Sequence, residues 1–146
     1  MKRKTLNRLI LIACFVIPLA VIWVAWGGGL MPRVWQLNQM IKQDPVLAEY
    51  PYRFRAVLLA SGVATLTRPH DGQVPAILFL EHVEPELATK SPNDPAILAA
   101  HDRLREHENR AARVALMHPE VDSVEWVLDR AWFHREKIPI PPKIGP

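Results

Sequence analysis

Beyond residue 33 the spacing of apolar positions changes several times, and each change marks out an element. Over Val34–Ile41 the apolar side chains fall at 34, 37 and 41, with Asn38 out of phase, which predicts a short amphipathic helix. Asp44-Pro45 restarts a helical turn through Val46, Leu47 and Ala48, and Pro51 stops it. Tyr52, Phe54, Ala56 and Leu58 then alternate with Arg53 and Arg55, the period of a strand. Ser61-Gly62 reads as a turn and Val63–Thr67 as a returning strand, so a hairpin is predicted.

Pro69-His70-Asp71-Gly72 is a turn by its chemistry. Val74–Val83 is apolar, and a short helix is favoured over a buried strand because Pro75 suits a first turn. Asp94-Pro95 pairs an N-cap with an N1 proline and opens a long helix to about Met117. Its inward positions are Ile97, Ala100, Leu104, His107, Ala111 and Val114, and His118-Pro119 breaks it. Val121–Phe133 fits a strand with Val124, Trp126 and Leu128 facing the core and Trp126 and Trp132 on one face, although helical spacing at 121, 124 and 128 competes. The tail IPIPPKIGP is too rich in proline for a regular element and is expected as an extended strap. The expected fold class is α+β: a small helix–strand–strand–helix–strand domain over 34–133 with a three-stranded sheet, followed by a proline-rich tail over 134–146.

Ahead of the domain lies an uncharged apolar run, Leu9–Trp26, preceded by Lys2, Arg3, Lys4 and Arg8. Eighteen helical residues reach roughly 27 Å, which matches a bilayer core, so one N-terminal transmembrane helix is expected. The basic segment 1–8 predicts a cytoplasmic N-terminus, and 27–33, with its three glycines, a flexible joint. A cleaved signal peptide would have a shorter core and a small-x-small exit. A lipobox at Leu11–Cys14 is contradicted by the dozen apolar residues that follow it. The localisation these features predict is a bacterial inner membrane with the domain in the periplasm.

The order of elements, with particular residues in it, resembles the BON domain of bacterial envelope proteins. The matching pieces are Leu37–Ala48 with its internal Asp-Pro, Phe54–Leu59, Gly62–Leu66, Ala111–Ala115 and Val121–Glu125. Glu120-Val121 stands where that pattern has a glycine-valine pair, and Thr67 or Arg68 where it has a second glycine. Residues 69–93 would be an insertion. The resemblance implies a non-enzymatic envelope protein that binds phospholipid, another protein or a small ion.

Charge and chemistry narrow the function classes further. The formal +3 comes from the N-terminal cluster: after residue 30, fourteen basic residues face fifteen acidic ones with signs interleaved. No clustered phosphate-binding face exists for nucleic acid. The single cysteine, Cys14, excludes an intrachain disulfide and a cysteine-type zinc site. His101 and His107 are six apart, outside the helical metal-pair spacing, and Ser61, Ser91 and Ser123 lie in no nucleophile elbow. No phosphate loop is present. No catalytic residue, cofactor, metal or small-molecule substrate is therefore expected. Contact residues for a lipid or partner are Trp35, Met40, Arg53, Arg55 and Trp132, the arginines having cross-strand pairing with Glu125 or Asp129 as their structural alternative. The expected role is a membrane-anchored accessory or assembly subunit of a larger integral membrane complex. The alternative is a phospholipid-binding envelope module.

Overall fold

A computed structural model of the chain describes residues 33–142. The expected span over 9–26 lies outside them. Among the described residues no helix is long and apolar enough to cross a membrane. The longest, Pro95–Leu116, has 22 residues but carries Asp102, Arg103, Arg105, Glu106, Glu108, Arg110 and Arg113, a charged face that a bilayer would not accept. Among the described residues the fold class is therefore corrected to a small α+β domain with a three-stranded sheet and no membrane-spanning helix, and the single-pass description is withdrawn with it.

The domain opens with α1 (Arg33–Gln43), whose Leu37 and Ile41 stand one turn apart and are buried. The Asp44 side chain then accepts from Leu47 N–H at 3.1 Å and caps α2 (Pro45–Glu49), with Pro45 in its first turn. An extended segment follows in which Tyr52 and Phe54 are buried and Arg53 and Arg55 are exposed. The alternation begins at Tyr52 as expected, yet the ladder of β1 (Ala56–Ala60) begins only at Ala56. Thr67 N–H donates to Arg55 O at 2.9 Å, and the next donor along would be Pro69, which has no N–H. The ladder stops there.

β1 turns into β2 (Val63–Arg68) through Ser61-Gly62, with φ of 50° and 78°, the two left-handed residues of a tight hairpin turn. Gly62 suits the left-handed position, and a Cβ there would also force the exposed Asp122 carboxylate to shift. From β2 the chain crosses over through α3 (Ala76–Val83), a 3-10 turn (Pro85–Thr89) and α4 (Pro95–Leu116) to β3 (Ser123–Leu128). β3 pairs parallel to β2 from Val63↔Ser123 to Arg68↔Leu128, giving the order β1-β2-β3 with two free edges.

Helix α4 packs on one sheet face through Ala111, Val114 and Ala115, against Ala64 and Leu66, which are fully buried. On the other face Leu58 and Val127 remain exposed. The segment 69–93, set apart as an insertion by the resemblance, places Val74, Phe79, Leu80 and Leu87 in the core. Its helix over Val74–Val83 is present as α3.

The strand expected to run to Phe133 ends at Leu128. Asp129 accepts from Trp132 N–H at 3.0 Å and caps α5 (Arg130–Arg135). Trp132 therefore shares no strand face with Trp126. It lies in an aromatic cluster, edge-on to Phe79 at 5.3 Å and to Phe133 at 4.9 Å. Over 138–142 the tail forms no regular element: Ile138 and Ile140 pack on the core, and Arg130 Nη1 donates to Pro141 O at 2.8 Å.

Candidate functional site

Where α1 meets α2, Asp44-Pro45 turns the chain and makes a wall that faces the extended segment before β1. Between wall and segment lies a groove of about 560 Å³. Its apolar lining is Ile41, Leu47, Ala48 and Phe54, and its cations are Lys42, Arg53 and Arg55. No carboxylate lines it.

Each side of the groove is held by polar contacts that leave cationic surface available. Arg53 Nη1 donates to Ala48 O at 3.0 Å, tying the segment to the C-terminal end of α2. Arg55 Nη2 donates to Asp129 Oδ1 at 3.0 Å while its side chain stays 45% exposed. Asp129 is one of the two acids weighed as a structural partner, but the pair is not cross-strand: Arg55 precedes β1, Asp129 follows β3, and Arg53 meets neither acid. Lys42 stands in the last turn of α1, where its charge favours the negative end of the helix dipole. It has no ion-pair partner among the described residues. Asn38 lines the groove's inner end: its Nδ2 donates to Ala56 O at 2.9 Å, and its Oδ1 accepts from Ala56 N–H at 2.7 Å.

The wall is braced from behind. Arg110 of α4 reaches Asp44 Oδ2 with Nε at 3.0 Å and Nη2 at 2.6 Å. This two-pronged hydrogen bond, supported by the bonds from α2 backbone, holds the Asp44 carboxyl below its ordinary value of 3.8. A carboxyl depressed in the folded state contributes stability above its unfolded value and loses it as pH falls through the folded one. Asp44→Asn keeps a helix cap but removes the charge. In urea titrations the wild-type chain is expected to be the more stable above pH 5, with the difference closing below pH 4. A difference unchanged down to pH 2 would separate Asp44 from the acid response.

Of the contact residues expected from sequence, the structure brings Arg53 and Arg55 to the groove. Trp35 is 45% exposed on α1 outside its lining, Met40 is half-buried against the core, and Trp132 is buried. Lys42 and Asn38 were not singled out for contact. Asn38 did leave a trace as the position out of phase on the apolar face of α1.

Three of the histidines make local structural contacts. His70 Nε2 meets Glu108 Oε1 at 2.7 Å, and the His107 ring stacks on Tyr50 at 4.0 Å while its Nδ1 donates to Arg103 O. Buried His118 accepts from Glu120 N–H. Among the described residues no three metal-ligating side chains gather. Comparison with protein-family models, with curated proteins and with solved structures gives no match.

Proposed function

We propose that this domain is a non-catalytic accessory or assembly module that docks onto a larger partner through the groove between α1–α2 and the Arg53–Arg55 segment. The observation that carries the proposal is the composition of the groove, an apolar floor under three cations with no acid among its lining. Such a surface holds an anionic, partly apolar partner and has no group placed to act as acid, base or nucleophile. Rim charges of one sign also steer encounter with a partner of the opposite sign.

Native mass analysis of the tagged full chain, extracted gently from its host, tests the proposal against the double variant Lys42→Glu/Arg53→Glu. The wild-type chain is expected in a defined larger assembly and the variant near its own 16.6 kDa. Both migrating alone would sink the docking role. A phospholipid surface is the second reading, favoured by the exposed Trp35 two turns before Lys42 on α1. It predicts that anionic vesicles bind the wild-type chain and not the variant.

A further inference from the structure

The groove has a backbone edge as well as charge. Arg55 O accepts from β2, and Ala56 N–H and C=O both turn the opposite way, to Asn38. Because successive residues of an extended chain present their backbone groups to alternate sides, Phe54 N–H and C=O face the same side as those of Ala56. That side is the groove. Neither Phe54 group meets a partner among the described residues. The Asn38 amide behaves at Ala56 as one residue of an added strand would, and the position before it is open.

We propose that the groove takes an extended acidic segment of a partner protein, which adds as a short strand beside Arg53–Phe54, pairs with Phe54 N–H and C=O, and sets its carboxylates against Lys42 and Arg53. This rests on the docking reading and names its occupant. Strand addition joins main-chain pairing for affinity to side-chain pockets for specificity. Here Ile41, Leu47 and Ala48 receive the apolar residues of the segment, and the cations receive the acidic ones. Asn38 ends the added strand at Ala56, so the segment is short. A phospholipid would satisfy the cations but leave the Phe54 amide unused.

The probe is an acetylated, amidated octapeptide, Glu-Val repeated four times, labelled and titrated into the full chain by fluorescence anisotropy. Saturable binding is expected, weakened at least about tenfold when lysine replaces each glutamate or when the chain carries Arg53→Glu. Two N-methylated forms separate strand pairing from charge alone. Methylating the amides of all glutamates, or of all valines, blocks one edge of the strand and leaves the other free. One form should bind at least about tenfold more weakly than the other, from the lost main-chain bonds. Equal binding of the two forms overturns the proposal, as does the absence of saturable binding to the parent peptide. Binding of phosphatidylglycerol vesicles but not of peptide assigns the groove to lipid and overturns it likewise. A chain that enters its native assembly yet ignores the peptide keeps the docking role and loses the strand addition. One that does neither loses both.

Discussion

Phe79→Ala is expected to lower the unfolding free energy by about 3–5 kcal/mol, the cost of deleting a fully enclosed aromatic side chain. Phe79 is 0% exposed. Its ring stands edge-on to Tyr52 at 5.7 Å and to Trp132 at 5.3 Å, with Tyr50 at 6.2 Å. Such aromatic contacts add about 0.5–1.5 kcal/mol beyond burial. The loss matters because it lies in α3, inside the segment that the family resemblance would set apart as an insertion. Equilibrium urea unfolding of the two chains measures it. A loss below about 1 kcal/mol would mean that the crossover segment rests on the domain without completing its core.

The second large effect is expected at Asp129, which is 4% exposed and bonds three residues at once. It caps α5 through Trp132 N–H, accepts from Tyr52 Oη–H at 3.2 Å, and receives Arg55. Burial first of all pushes the Tyr52 phenol far above its usual range, so its hydroxyl remains a donor throughout ordinary conditions. Asp129→Ala removes a cap worth about 1 kcal/mol and leaves a buried hydroxyl without its acceptor, at about 1–3 kcal/mol. The bridge to half-exposed Arg55 adds little. A total near 3 kcal/mol is expected, with Asp129→Asn losing less, because its one oxygen still accepts from Trp132 N–H and its amide nitrogen can donate to the Tyr52 hydroxyl oxygen. Thermal and urea unfolding of the two variants decide the matter. Equal losses would show that the charge, and not the hydrogen-bond geometry, is what Asp129 contributes.

Those two residues also show where local pattern stops being informative. Asp44-Pro45, Asp94-Pro95 and Ser61-Gly62 locate a cap or a turn by chemistry confined to neighbouring residues, and the elements they bound lie where periodicity places them. At Val121–Phe133 the helical spacing at 121, 124 and 128 falls on the stretch that becomes β3, and the helix that does form lies beyond it, where Asp129 caps Arg130–Arg135. Strand onset at Ala56 instead of Tyr52 depends on Pro69, just past the end of β2, so no reading of β1 alone reveals it. The groove divides in the same way. Arg53 and Arg55 were legible because alternation placed them outward. Lys42 and Asn38 enter only when the bend at Asp44 brings α1 against the segment before β1. The apolar run at 9–26 falls on residues outside the description, and the described helices contain nothing able to cross a bilayer.

The parallel pairing of β2 with β3 bears on the order in which the molecule can assemble. β1 and β2 meet across a two-residue turn, while Val63 and Ser123 are about sixty positions apart. Closing that distance costs chain entropy before any contact is gained. During synthesis the hairpin can form early, but the central strand must wait with one side bare until α3 and α4 have emerged and turned back. Throughout that interval Ala64 and Leu66 have neither their third strand nor the helix that covers them. The nascent chain is then at its most vulnerable to other nascent chains, and synthesis of β3 ends the exposure.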